Sequence, residues 1–188
     1  STDWYTMRRR ILAAVAVAGL ATMAGCGFLL GTEALTVSAS QVTVADQTYR
    51  DAGYEEVNVT AQNVTIQQEF AGQNRTVIVT NHLAQYERRI GIRGLGEQRA
   101  GAFVAFASPQ VEVAGRSFNP LSSMSEKEIL TNFQTSYQGL SVGRQTGSQN
   151  VTALGADRQV KRFQGNATLA GQEVDVAVHA AKFRHGSD

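Results

Sequence analysis

Apolar residues recur with period two in several segments of this chain, which predicts that these segments form β-strands. The clearest example is residues 172–183, where Val174, Val176 and Val178 alternate with polar positions after an Ala170–Gly171 turn. We predict further strands at residues 35–39, 55–67, 75–82, 102–107, 110–114, 140–144, 151–154 and 158–169.

Two helices are predicted among these strands. The first covers residues 44–52 and ends at Gly53. The second begins at a capping box formed by Ser125 and Glu128, and Gly139 is expected to stop it. Its apolar stripe consists of Ile129, Leu130, Phe133 and Tyr137. This order of elements predicts the α+β class, in a single domain over residues 34–188.

The carboxyl end has the composition of another hairpin turn, at residues 184–188. Without a returning strand, residues 172–183 would form a long exposed sheet edge, which natural proteins avoid. We therefore expect the domain to be truncated, with its C-terminal strand missing.

The amino terminus predicts export. Arg8–Arg10 precede the apolar run Ile11–Gly25, and the box Met23–Cys26 places small residues before the only cysteine. We predict an extension plus export signal at residues 1–25, lipid attachment at Cys26 and a linker at 26–33. The order Arg-Arg-x-Ile-Leu also fits a twin-arginine signal.

An uncleaved anchor is the alternative. The uncharged stretch continues to Gly31, so that it covers 21 residues from Ile11, and about 20 apolar residues span a bilayer as one helix. Either arrangement places the folded domain on the extracellular face of the membrane. A lipid on Cys26 would leave no thiol for a disulfide.

Five of the eight asparagines lie in glycosylation sequons: Asn58, Asn63, Asn74, Asn150 and Asn166. Alternation and nearby turn residues predict that all five face solvent. We interpret them as glycan attachment sites on a surface glycoprotein. The alternative is that Asn-x-Thr simply suits exposed strand faces.

The charge and the motifs of the chain argue against several classes of function. From Cys26 onward there are 14 basic and 15 acidic residues, so the net charge of −1 does not favour nucleic-acid binding. The three histidines, His82, His179 and His185, lack the spacing of a zinc site, and no Gly-x-Ser-x-Gly motif is present. We therefore expect no enzyme activity, no metal and no cofactor.

The candidate ligand-binding residues lie in a connection predicted to be a loop. Its four cations and one aromatic residue could bind an anionic headgroup, a glycan or a partner protein: Arg88, Arg89, Arg93, Arg99 and Tyr86. The alternative is a solvated loop whose charge is balanced by Glu87 and Glu97.

The chain resembles a family of haloarchaeal membrane lipoproteins whose domain has no known function. The resemblance rests on the box ending at Cys26, on residues 79–82 leading to 86–88, on 109–115, on 118–121 and on 171–176. It implies a single antiparallel sheet with flanking helices, similar in architecture to the photosystem accessory protein PsbP and the nuclear transport factor Mog. Three lysines against 14 arginines suit a halophile, but the near-neutral charge does not.

These features predict a cell-surface lipoprotein whose ectodomain binds or scaffolds a partner without catalysis. A membrane-anchored hydrolase and an accessory subunit of a membrane complex are the alternatives. An accessory subunit would show a large exposed apolar patch.

Overall fold

The computed structural model describes residues 33–70, 72–113, 116–117, 119–137 and 139–186. The export signal, the predicted lipid site at Cys26 and the alternative membrane anchor lie outside these residues. Within the described part of the chain, no helix is both long and apolar enough to cross a membrane.

Strands dominate the structure. They are β1 (Leu35–Ser38), β2 (Glu55–Phe70), β3 (Gln73–Ile92), β4 (Gly96–Ala107), β5 (Glu112–Val113), β6 (Arg116–Ser117), β7 (Ser141–Ala153), β8 (Ala156–Leu169) and β9 (Gln172–Ala180). The helices are α1 (Asp46–Asp51) and α2 (Glu126–Gln134), and a 3₁₀ helix occupies Pro120–Ser122.

The predicted α+β fold with one sheet and flanking helices is wrong. Of the residues that the structure describes, 61% lie in strands and 12% in helices. Its main sheets have four strands (β1-β3-β2, with β4 also on β3) and three strands (β7-β8-β9), and β5 and β6 form a small ribbon. The three-stranded sheet is separate because tight turns join β7 to β8 and β8 to β9, so that these consecutive strands pair with one another and need no strand from elsewhere in the chain.

The described residues form two compact units. One contains the residues up to Val37 together with Asn63–Thr80, and the other contains Ser38–Gln62 and the residues from Asn81 onward. In the first unit Val77 is buried, and cross-strand hydrogen bonds join Gln67 to Thr76. Both helices, β4 and all later described strands lie in the second unit.

The arginine-bearing connection is a β-hairpin and not a loop. β3 continues to Ile92 and β4 begins at Gly96, and the Leu95 N–H donates a 2.9 Å hydrogen bond to the Ile92 carbonyl across the turn. Gly94 has φ +83°, a conformation that glycine adopts without strain. Glycine in this segment suggested a flexible loop, but in the structure it allows the backbone to form a tight turn.

The carboxyl-terminal sheet follows the predicted alternation. The alternate valines of β9 are less exposed than the residues between them, and Ala170 and Gly171 form the predicted hairpin turn with φ +50° and +79°. The predicted strands at 140–144 and 151–154 are instead one strand, β7, whose pairing with β8 contains two register shifts.

Helix α2 begins as predicted. The Ser125 Oγ accepts a hydrogen bond from the Glu128 N–H, and the Glu128 carboxylate accepts one from the Ser125 N–H at 2.7 Å. Hydrogen bonds from the backbone and side chain of Ser125 lower the pKa of Glu128. The helix ends at Gln134, earlier than Gly139 suggested. Lys161 of β8 holds its first turn through a 2.7 Å ion pair with Glu126.

Candidate functional site

The register of the β3–β4 hairpin sets which charged residues share a face. Glu87 lies opposite Ala102 and Arg88 opposite Gly101, but Arg89 lies opposite Arg99. The register shift leaves Ala100 as the extra residue of a β-bulge. Since residues directly opposite each other share a face, the bulge places Arg99 beside Arg89 and on the same face as Glu87.

These three side chains form one charge cluster, which we call the arginine pair on Glu87. Arg99 Nη2 lies 2.7 Å from one Glu87 carboxylate oxygen, and Arg89 Nη2 lies 3.1 Å from the other. The Glu87 side chain is only 10% exposed, whereas both arginine side chains are about half exposed. The buried carboxylate therefore holds two guanidinium groups side by side at the surface.

An aromatic ring supports one member of the pair. The Arg99 guanidinium lies 5.4 Å from the centre of the Tyr137 ring, a distance at which a cation is attracted to the ring face. Tyr137 follows helix α2, and Phe133 of that helix contacts Phe106 of β4 edge to face at 5.9 Å. The helix thus reaches the same hairpin that carries the pair.

Tyr86 has a structural position and not a ligand-binding one. It is 0% exposed, and its hydroxyl accepts a 2.9 Å hydrogen bond from the Val44 N–H. Its ring lies 4.9 Å from that of Tyr49 and 6.0 Å from that of Phe103. The structure therefore places Tyr86 in the core, apart from the exposed arginines with which the sequence grouped it as a possible ligand contact.

The other two predicted arginines stand apart from the pair. Arg88 alternates with Arg89 along β3 and packs near α1, since a Cβ added to Gly53 would lie 3.4 Å from its Cδ. Arg93 is exposed in the turn. The four predicted cations therefore form a pair and two separate residues.

The arginine pair has the chemistry of an anion site. Two guanidinium groups and one carboxylate leave a net charge of +1, and the contacts with Glu87 use one nitrogen of each arginine. A guanidinium carries five N–H donors in a planar fork that fits phosphate or carboxylate oxygens. Sequence reasoning treated Glu87 only as a balancing charge. The period-two spacing Glu87-x-Arg89 was the signal that could have revealed its role.

The family comparison covers most of the chain. Residues 41–188 match the family described as Domain of unknown function (DUF6517). The chain belongs to this family. No curated protein and no solved structure matches it.

The sequon asparagines of this DUF6517 protein all lie in strands. Four are exposed (Asn58, Asn63, Asn74 and Asn150), and Asn166 is half-buried. The Asn63 side-chain Oδ1 accepts a 2.8 Å hydrogen bond from the Thr80 hydroxyl. The Asn166 Nδ2 donates at 2.9 Å to the Glu173 carboxylate. The side-chain nitrogen that would carry a glycan is therefore engaged at Asn166.

The histidines lie on different elements. His82 belongs to β3, His179 to β9, and His185 follows β9. His179 and Asp175 are both exposed on the outer face of β9. Over the described parts of the DUF6517 region, no group of three or more His, Cys, Asp or Glu residues is arranged to hold a metal ion.

Proposed function

We propose that this protein is a cell-surface lipoprotein, anchored through a lipid on Cys26, whose ectodomain binds an anionic group at the arginine pair on Glu87 without catalysing a reaction. The export signal and the sequons support an exterior location. The resemblance of its motifs to haloarchaeal membrane lipoproteins supports both this location and that origin. The observation that carries the binding role is the convergence of Arg89 and Arg99 on one buried carboxylate.

Exposure favours binding over a purely structural ion pair. Ion pairs with solvent-exposed partners contribute only about 0–1 kcal/mol to stability, and here the two guanidinium groups remain half exposed while Glu87 is buried. Glu87 and the ring of Tyr137 restrict the arginines before any ligand arrives. Less side-chain entropy is then lost when an anion binds.

Binding can be measured on the full chain with inorganic phosphate as the probe. We expect Arg89→Gln and Arg99→Gln each to weaken binding about tenfold, in line with the loss of one charge-assisted hydrogen bond. Arg144→Gln is the matched control, because Arg144 is an exposed strand arginine of β7 outside the cluster. Equal losses in all three variants would show that binding is nonspecific.

Anchoring needs its own measurement. Intact-mass analysis of the amino-terminal peptide from native membranes, before and after delipidation, should show a chain that begins at Cys26 and carries a lipid increment. Cys26→Ser should abolish the increment. A peptide that retains the residues before Cys26 would instead support the uncleaved anchor.

A further inference from the structure

The end of the β3–β4 hairpin exposes aliphatic side chains among arginines. Leu95 is 57% exposed and Ile90 is 40% exposed, and Ile92 lies between them in sequence. Arg89 and Arg93 are also exposed in this segment. We call residues 88–99 the hairpin end.

The turn geometry does not require these aliphatic residues. Gly94 and Gly96 have φ +83° and +72°, so the turn needs glycine at those positions. At position 95, the hydrogen bonds use only backbone atoms: the Leu95 N–H donates to the Ile92 carbonyl, and the Leu95 carbonyl accepts from the Gln98 side-chain amide. A polar residue could make the same contacts, so the exposed leucine is not explained by folding.

Charge distinguishes this hairpin from another with a similar leucine. The hairpin end contains four arginines and Glu97, which gives a net charge of +3. Leu154 at the β7–β8 turn is equally exposed, at 59%, but its nearest charged neighbours in sequence, Asp157 and Arg158, cancel. Exposed aliphatic residues combined with clustered arginine are the composition that binds anionic membrane surfaces.

We propose that the hairpin end docks on the anionic lipid surface of the membrane to which the chain is tethered. Leu95 and Ile90 enter the boundary between headgroups and acyl chains, and Arg88 and Arg93 contact lipid phosphates. This inference rests on the proposed membrane location and names the anionic partner as lipid.

Because the predicted linker keeps the domain near the bilayer, a weak contact is sufficient to hold the hairpin end on the membrane. The eight linker residues 26–33 can extend at most about 29 Å at about 3.6 Å per residue, so the domain stays close to the bilayer. Such confinement converts docking into an intramolecular event with a high effective concentration. A few arginine–phosphate contacts and two aliphatic side chains are then enough to hold the hairpin.

The test places one fluorophore at a time on the full chain. Cys26→Ser removes the only cysteine, and Leu95→Cys or Leu154→Cys then carries a polarity-sensitive label. The apolar segment of residues 11–31 inserts the protein into vesicles of phosphatidylcholine, with or without one-third phosphatidylglycerol. Because this insertion does not use lipid on Cys26, failure of the lipoprotein assignment does not affect the outcome.

We expect the label at position 95 to shift to the blue and to brighten about twofold in anionic vesicles only, whereas the label at position 154 stays unchanged. Adding Arg93→Gln or Arg88→Gln should reduce the response. An unchanged label at 95, equal responses at 95 and 154, or an equal response in neutral vesicles would overturn the proposal. A response to soluble polyglutamate but not to anionic vesicles would also overturn it, in favour of an acidic protein partner.

The phosphate titration separates this proposal from the proposed function. If Arg89 and Arg99 bind phosphate but the label at 95 does not respond, the anion site stands and the lipid assignment fails. If the label responds although phosphate binding is nonspecific, the hairpin contacts lipid without the arginine pair.

Discussion

Tyr86→Phe tests the core with the removal of one atom. Tyr86 is completely buried, and its hydroxyl is the acceptor for the Val44 N–H at 2.9 Å. Phenylalanine retains the ring between Tyr49 and Phe103, so the substitution isolates this hydrogen bond from the aromatic packing.

The magnitude follows from the burial of the donor. A fully buried N–H without an acceptor costs about 1–3 kcal/mol. Val44 is only half-buried, so water can replace part of the lost bond, and we expect a cost of about 1–1.5 kcal/mol. That loss corresponds to about a tenfold change in the local opening equilibrium.

Amide hydrogen exchange at Val44, followed by NMR on the full chain, measures this change directly. We expect about tenfold faster exchange in Tyr86→Phe. Tyr137→Phe is the control, because it removes a hydroxyl from a half-buried tyrosine whose described contact is made by its ring. If Val44 exchanges at the same rate in both variants, the hydroxyl does not hold the segment before α1 and the reasoning is refuted.

Three further predictions concern other parts of the molecule. Burial raises the pKa of Glu126, but the hydrogen bond and charge of Lys161 outweigh this effect and lower the pKa below its usual value. The stabilisation from this ion pair is therefore present above the unfolded-state pKa of Glu126 and is lost as the pH falls through the lower, folded-state pKa. Glu126→Gln should make the stability depend less on pH in the acid range, as followed by circular dichroism. An unchanged pH dependence would contradict this. Ala170→Asn should stabilise the β8–β9 turn by about 0.5–1 kcal/mol in urea unfolding, because asparagine tolerates φ +50° better than alanine, and a lower midpoint would argue against the turn. Glycopeptide mass spectrometry should find the lowest occupancy at Asn166, which is half-buried and bonded to Glu173; occupancy equal to that of the other four sequons would show that this contact does not matter.

Local patterns predicted individual elements well. The capping box of Ser125 and Glu128 and the turn at Ala170–Gly171 depend on residues within four positions of one another, and both are present in the structure. The alternation in β9 was equally readable, because each side chain alternates by backbone geometry alone.

The sequence could not reveal how the strands divide between sheets. β3 pairs with its hairpin neighbours β2 and β4 but also with β1, and this last pairing joins segments that are distant in sequence; one predicted sheet became two main sheets. The hairpin formed by residues 86–99 was missed because glycine, which is depleted in strands, and arginine suggested a loop, whereas pairing with β4 holds Arg88, Arg89 and Gly91 in a strand.

The candidate site shows the same division. By itself, the sequence determined that arginines are concentrated between residues 88 and 99 and that an arginine cluster and an apolar run, which predict an export signal, precede the domain. Only the tertiary structure decided that Tyr86 is buried and that Arg99 joins Arg89 on Glu87. The physical reason is the bulge at Ala100: one extra residue changes which face Arg99 occupies, and that change depends on strand pairing and not on local residue preference.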